Sequence, residues 1–450
     1  MDSHQFEIRG EIHKIPISGI GMCELIVPET VYPPKEDSLL LCKAISRLEG
    51  EAGNALEIGC GSGAVSIQLA SLGWKVKTCD VNPIAVSATI GNVRSHGLSG
   101  SVEVLESGIG EGMEIPEGTD LVVWNIPYLD EVDDATIDAI ESAALNDIGN
   151  GGWSRTLLNF LEESSCELKD NLLVMLMMRT DPLSESKASD WKKFGWSSRS
   201  IEFERLGDER IDVICFWKTG QGIKPRILEK CDSTMDEAKK IESSGWQRVF
   251  SHEQRNGRGR KNSRWSSNQG GLFATWCLSE DLLTKIAPGA LQTGIGSIIA
   301  NDLGVNTKWP NDIIGNDGNK VGGVLVESSD GGPIRVGVGV NRHNFEDDGV
   351  TGSGWEETLG PIGAEEIFQS IDTSISSFFE DTGNLPMPSA ESVISMAWNS
   401  LSKSLSHGAM AHVGGELIRP IGINMNGELE TLGSGGIGVV NDLDTVEWLF

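Results

Sequence analysis

From residue 55 to residue 218, short apolar runs alternate with helix-length segments, and this alternation limits the fold more than any other property of the chain. Ala55–Ile58, Lys75–Cys79, Val102–Leu105, Leu121–Trp124 and Leu172–Met178 read as strands, with helical patterns over Ala64–Leu72, Ile84–Ser95 and Thr156–Cys166 between them. Strands this short and apolar suit a sheet covered on both faces, and parallel neighbours need long crossovers that helices supply. The pattern therefore predicts an α/β doubly wound sheet. Ser200–Phe203 and Ile211–Trp217, separated by the polar Glu204–Arg210, read as a closing antiparallel pair. Thr219–Pro225 carries glycine and proline and marks a linker. Beyond it the pattern becomes α+β, with a helix over Thr234–Ser243 capped by Ser233 or Thr234, and strands over Leu272–Cys277, Val324–Glu327 and Arg335–Val340. Val413–Phe450 reads as short strands broken by turns such as Asn426-Gly427, which suggests a small β-barrel. The limits expected are 1–219 for the first domain, 220–225 for the linker, 226–408 for the second domain and 409–450 for the barrel.

Composition excludes several classes. A chain of 450 residues exceeds one ordinary core. No apolar run approaches a membrane span, and Met1–Gly10 is polar, so no membrane association is expected. The eight cysteines include no C-x-x-C pair, which argues against a zinc cluster or disulfide framework and for a reducing, cytoplasmic location. The formal net charge is -30, and residues 101–150 hold thirteen acidic side chains with no Lys or Arg. Such a surface repels a phosphate backbone, so DNA is not an expected partner.

Glu57-Ile58-Gly59-Cys60-Gly61-Ser62-Gly63 falls where a predicted strand gives way to a predicted helix. Glycines there let a ligand approach the backbone at the carboxyl edge of a parallel sheet. Asp80 closes the next strand, placed to accept hydrogen bonds from ribose hydroxyls. On these residues alone, a dinucleotide site and a tight turn without ligand both stay open. Further blocks accompany the turn: Val31-Tyr32-Pro33-Pro34-Lys35-Glu36-Asp37-Ser38, Asp80-Val81-Asn82-Pro83, Asn125-Ile126-Pro127-Tyr128 and Gly151-Gly152. Together they resemble the HemK-type protein glutamine methyltransferases over most of residues 20–218. The resemblance implies S-adenosylmethionine held by Glu57, Gly59, Gly61, Gly63, Asp80 and Asn125. It also implies a methyl acceptor, a protein side chain and glutamine by likeness, gripped by Asn125, Ile126, Pro127 and Tyr128. Two positions depart from the family. Ile126 replaces the first proline of Asn-Pro-Pro-Tyr, which frees φ and adds an N–H. Gly108 stands near where an acidic residue is usual, and one lost charged hydrogen bond to adenine costs roughly 1.5–3 kcal/mol.

Gln254–Trp265 concentrates five cationic side chains and two glycines in this acidic chain. Backbone N–H groups of a glycine loop and arginine forks suit phosphate. A lone basic run is as readily a solvated face or a nucleic-acid patch. Here it is flanked by Asp232-Ser233-Thr234-Met235, Lys308-Trp309-Pro310-Asn311-Asp312 and Lys320-Val321-Gly322-Gly323-Val324-Leu325-Val326-Glu327. In that order and spacing the four blocks resemble the biotin–protein ligases, with Met235 where asparagine is frequent. The resemblance implies that biotin and ATP form biotinyl-5'-AMP, from which biotin passes to a lysine of a carboxylase carrier protein. Lys320 and Arg260 are then the implied catalytic residues. Ser233, Thr234, Gln254, Gly257, Arg258 and Lys320 would hold biotin, while Arg258, Arg260, Trp265, Lys308, Asn311, Asp312 and Asn341 would hold ATP and the adenylate. Asp312 would also place a Mg2+ ion with ATP.

The two resemblances describe a bifunctional enzyme: a biotin ligase whose partner is a separate biotin carboxyl carrier, joined to a methyltransferase with an unknown protein substrate. A homodimer through the ligase half is compatible with this reading. Two alternatives stay open. The first half is either a catalytically silent S-adenosylmethionine-binding regulatory module, which Ile126 and Gly108 favour, or a nucleic-acid methyltransferase, which the acidity disfavours.

Overall fold

A computed structural model describes residues 10–128, 147, 151–164, 168–259, 264–265, 269–328, 332–347, 350–442 and 445–450. The chain divides into two compact units, Met1–Gln221 with Thr382–Pro386, and Gly222–Asp381 with Met387–Phe450.

In the first unit a seven-stranded sheet runs in the order Val102–Glu106, Lys75–Asp80, Asn54–Ile58, Leu121–Asn125, Leu173–Asp181, Glu209–Lys218, Trp196–Leu206. The first five strands are parallel, and the last two add antiparallel pairs. Along Leu173–Met178 alternate residues enter opposite cores: Leu173, Met175 and Met177 pack with Leu41, Ile67 and Val123, while Val174, Leu176 and Met178 pack with Leu56, Leu158 and Phe216. A strand buried on both faces has no polar face to show, which is why this run is continuously apolar. Each such side chain contributes about 1.5–3 kcal/mol of burial. The helices Ala64–Ser71, Pro83–Ser95 and Gly152–Glu163 match the predicted ones, except that the third begins earlier. Its predicted end at Cys166 lies outside the described residues. The sequence reading did not anticipate the hairpin Gly10–Ile17/Gly21–Pro28 or the helix Glu36–Ile45.

The second unit is built on a sheet ordered Arg226–Leu228, Gln247–Ser251, Leu272–Leu278, Ile334–Val340, Lys320–Glu327, Asp312–Ile314, Asn306–Lys308. Its first pair is parallel and the rest antiparallel. Helices Pro288–Leu303, Ala364–Phe379 and Ala390–Ser406 contribute Ile295, Ile299, Ile371, Ile375 and Val393 to one core with these strands. The buried Asp372 is satisfied there by Arg248 Nε (2.9 Å), Trp246 Nε1 (2.9 Å) and Trp276 Nε1 (2.8 Å). The helix predicted over Thr234–Ser243 is shorter, Thr234–Ala238; Lys239-Lys240 form a turn, and Ser243-Ser244-Gly245, poor helix formers, follow just ahead of the strand.

The C-terminal strands Met410–Val413, Glu416–Ile423, Leu429–Gly433, Gly436–Val440 and Val446–Leu449 form an antiparallel sheet. Gly436–Val440 and Val446–Leu449 lie at its two ends and do not pair with each other among the described residues, so a closed barrel is not seen where one was expected. The sheet has no inside of its own to fill. Ala411, Ile418, Leu429 and Val446 join the core of the second unit, and Ile437 on the end strand is 77% exposed.

Candidate functional site

In the first unit the chain order reverses between Asn54–Ile58 and Leu121–Asn125, and a crevice opens at the carboxyl ends of strands at such a point. Gly59, Gly61 and Gly63 follow the first of these strands with φ of 73°, 50° and 83°, values that disfavour a side chain. The turn is latched to the next strand. Cys79 O accepts from Gly59 N–H (2.8 Å) and Cys60 N–H (3.0 Å), while Asp80 Oδ2 accepts from Gly61 N–H and Oδ1 from Asn82 N–H, both at 2.9 Å. These donors do not exhaust the lone pairs of the carboxylate. Burial raises the Asp80 carboxyl above its ordinary value despite these N–H donors. Asp80 is half-buried rather than an isolated strand end, because it also holds the turn. Glu57 sits beneath the turn, not on its surface: buried, its carboxylate accepts from Ser66 and Thr78, and desolvation pushes it up to about 8.

Asn125 ends the neighbouring strand. Its Nδ2 donates to Asp37 Oδ2 (3.0 Å), and its Oδ1 is buried with no hydrogen-bond partner among the described residues. An orphaned acceptor at the switch point is what a site awaiting a polar ligand leaves behind. Tyr32 O–H donates to the same Asp37 oxygen at 3.3 Å. Burial raises the Tyr32 and Tyr128 phenols far above their usual range, so both remain protonated donors. Ile126 is 1% exposed and packs in the core with Trp124 and Met113, whereas Pro127 and Tyr128 are half-buried. A Cβ at Gly108 would fall 2.5 Å from Val81 Cγ1, so an acidic residue there would have to displace Val81. Asp37 lies inside a quoted motif, but nothing local in the sequence links it to Asn125.

In the second unit a cavity of about 390 Å3 gathers Ser233, Thr234, Gln254, Arg258, Trp265, Asn311, Asp312 and Lys320. Gln254 Oε1 accepts from Thr234 N–H (3.0 Å) and Thr234 O–H (3.2 Å), which leaves the amide nitrogen for a ligand. Thr275 O–H donates to Thr234 Oγ1 at 2.9 Å and completes the chain of bonds. Ser233 precedes the short helix yet its hydroxyl makes no capping bond; Oγ is buried with no hydrogen-bond partner among the described residues, as is Trp265 Nε1. Lys320 Nζ lies 2.5 Å from Asp312 Oδ1 and 5.4 Å from the centre of the Trp265 ring. Lys308 Nζ stands 3.3 Å from Asp312 Oδ2. Asp312 thus spends both oxygens on lysines, and no cluster of three or more His, Cys, Asp or Glu suited to a metal occurs among the described residues. Asn341 lies behind the lining, with Nδ2 3.4 Å from the carbonyls of Lys320 and Ser353 and Oδ1 buried without a hydrogen-bond partner among the described residues. Asn311 Nδ2 donates to Val324 O at 3.0 Å. Arg258 is ion-paired with Asp236 (3.1 Å) and lies 3.6 Å from Glu327. Gly257–Arg258 pairs with Arg264–Trp265 as a short ribbon, and Arg260 lies outside the described residues.

The cavity wall also contains glycines that the sequence reading passed over. A Cβ at Gly337 would meet Met235 Sδ at 2.7 Å, and one at Gly339 would meet the Trp265 ring at 2.6 Å. Their signal was the spacing: glycines two apart in a predicted strand share one face and mark a close approach.

Comparison with known proteins assigns both units. Residues 36–168 match the model of the methyltransferase small domain, and residues 228–341 that of the biotin/lipoate A/B protein ligase family. The chain joins a methyltransferase small domain to a biotin/lipoate A/B protein ligase domain. Both are enzyme domains. The ligase domain is similar to a biotin–acetyl-CoA-carboxylase ligase of Paracoccus denitrificans, 35% identical over 143 residues, 28% of this chain and 58% of that protein. The methyltransferase domain is similar to ribosomal RNA small subunit methyltransferase C of Alcanivorax borkumensis, 35% identical over 98 residues, 21% of this chain and 28% of that protein. It is also similar to ribosomal protein L11 methyltransferase of Campylobacter hominis, 38% identical over 63 residues, 14% of this chain and 21% of that protein. The chain therefore spans little more than half of the ligase relative and under a third of the two methyltransferase relatives. No helix among the described residues is long and apolar enough to cross a membrane.

Proposed function

We propose that the ligase domain activates biotin with ATP and transfers it to a lysine of a carboxylase carrier protein. The observation that carries this reading is the cavity itself, which brings Ser233, Gln254 and Trp265 into one lining with Lys320 and Arg258. A biotin carboxylate oxygen attacks the α-phosphorus of ATP, and pyrophosphate leaves. A carrier lysine amine then attacks the acyl carbon, and AMP departs with the bridging oxygen. In the first step negative charge grows on the oxygens of the α-phosphate and of the departing pyrophosphate, and in the second on the bridging oxygen as AMP leaves; a preorganised cation beside the α-phosphate acts where both transition states need it. Lys320 has this role, with Asp312 fixing its ammonium beside the Trp265 face. Ser233 and Gln254 supply the polar contacts for the ureido head, and Trp265 covers the adenine. Arg258 leaves Asp236 and Glu327 to meet the phosphate, assisted by Arg260 two positions later in the sequence. Asp312 already serves two lysines, so no step is assigned to magnesium through it. The test is direct: full-length protein with biotin, ATP and a carrier domain should release pyrophosphate and add one biotin mass to a carrier lysine. Pyrophosphate release without carrier labelling would overturn the transfer step.

The methyltransferase domain is proposed to bind S-adenosylmethionine at the Gly59–Gly63 turn, with Asp80 accepting from the ribose and Asn125 at the acceptor. When bound, the cofactor supplies a methyl group already activated by its sulfonium, so the residues' task is alignment and exclusion of water. The acceptor proposed is a protein side-chain amide or amine. The segment 101–150, with thirteen acidic and no basic residues, supports a protein over RNA. A nucleic-acid target is the second reading, favoured by the similarity to an RNA methyltransferase. Labelled cofactor incubated with a ribosome-containing extract separates them, since protease-sensitive label supports the first and nuclease-sensitive label the second. Cofactor binding without any label would favour a regulatory module.

A further inference from the structure

We propose that Asp37 is a positioning residue: it fixes the Asn125 side-chain amide with the oxygen turned toward the methyl acceptor. The proposal rests on the methyltransferase reading above and adds a residue to which that reading gives no part. Asp37 is the second residue of the helix Glu36–Ile45 and is 4% exposed. Its two oxygens are crowded with donors. Oδ1 accepts from Ser38 N–H (2.6 Å) and Ser38 O–H (3.3 Å), and Oδ2 from Tyr32 O–H (3.3 Å) and Asn125 Nδ2 (3.0 Å).

An amide can turn over, exchanging its donor and acceptor ends at little steric cost, and a carboxylate removes that freedom. Turned over, Asn125 would set its oxygen against Asp37 Oδ2, acceptor to acceptor, and leave its NH2 where Oδ1 now lies. The present orientation leaves Oδ1 buried with no hydrogen-bond partner among the described residues, on a strand end at the switch point of the sheet. A single bare acceptor selects a ligand that presents N–H and penalises one that presents only lone pairs. Asp37 thus acts on the acceptor through Asn125, without reaching it.

The probe is a pair of cofactor analogues. S-adenosylhomocysteine has bare sulfur at the transfer point, whereas sinefungin carries an amine-bearing carbon there, which can donate to Asn125 Oδ1. The readout is the ratio of their dissociation constants by calorimetry on the full-length protein. The wild type should prefer sinefungin, and Asn125→Ala should reduce that preference about tenfold. Asp37→Asn keeps the shape but lets either end of Asn125 face it. The preference should fall at least threefold, with S-adenosylhomocysteine affinity within about twofold of wild type. The exchanged pair Asp37→Asn/Asn125→Asp restores one donor–acceptor contact and a bare oxygen, so the preference should return even if Asp37→Asn alone folds poorly. An unchanged ratio in Asp37→Asn, equal loss of both ligands, or no recovery in the exchanged pair would each overturn the proposal. Failure of the wild type to bind either analogue would instead overturn the cofactor reading beneath it.

Discussion

The two sites solve opposite electrostatic problems with the same small residue. The proposed methyltransferase site holds two carboxylates, Asp80 kept by N–H donors and Asp37 by N–H and O–H donors, as would suit a cationic sulfonium ligand. The proposed ligase site is lined by Lys320 and Arg258, each braced by a carboxylate, with Lys308 reaching Asp312 from outside the lining, as would suit phosphates. Glycine serves both, but differently. In the first it supplies positive φ for a turn, at Gly59, Gly61 and Gly63. In the second it lies in ordinary strand and supplies absence: Gly337 and Gly339 leave room for Met235 and the Trp265 indole. The comparison shows that a glycine pattern has meaning only with the backbone that carries it. A turn glycine protects a conformation, while a strand glycine protects a contact.

If charge is what distinguishes the sites, the largest effect should come from Lys320. Lys320→Ala keeps most apolar contacts, so biotin should bind only about tenfold more weakly, while pyrophosphate release falls by about 10²–10³. Near-normal release would remove Lys320 from the chemistry. Asp80→Ala is the counterpart in the other site. It removes the ribose acceptor and frees Gly61, so S-adenosylhomocysteine binding should weaken roughly tenfold to a hundredfold by calorimetry. Biotin binding should not change, and a loss there would break the independence of the two sites. Gly339→Ala tests the contact role of strand glycines, since the added Cβ would push the Trp265 ring. If the ring swings aside and so relieves overpacking of about 1–3 kcal/mol, the KM for ATP should rise around tenfold with the melting temperature little changed. A lower melting temperature with unchanged KM would make Gly339 a folding residue. The smallest effect is a pH dependence. Glu57 is raised from 4.5 to about 8, so the folded protein holds its proton more tightly than the unfolded chain does. Its contribution to stability is full below pH 4.5 and is lost as pH rises through about 8. Melting curves of Glu57→Gln should lose the part of the decline that falls between these values, and an unaltered profile would deny Glu57 that role.

Much of the fold was legible in the sequence because its signals are local. The runs at Lys75 and Leu121 became central strands, and the glycines after Ile58 took the positive φ that a turn at that place requires. Elements whose signals are weak were missed or misjudged. The hairpin at Gly10 was not anticipated, and the helix after Thr234 stopped five residues early. The barrel expected near the C-terminus is an end-open sheet, since strand pairing is chosen by distant partners and local turns cannot show closure.

By itself the sequence determined which residues carry charge, where the backbone must turn, and that the chain contains two chemistries, because each follows from neighbours within a few positions. The tertiary structure decided which of those residues meet. Asp37 and Asn125 are 88 positions apart, and their pairing turns one amide into a directed acceptor. Met235 fills the notch left by Gly337, and Asp312 stands between Lys308 and Lys320. Such contacts depend on sheet order and strand register, which the whole core sets by burying its apolar surface.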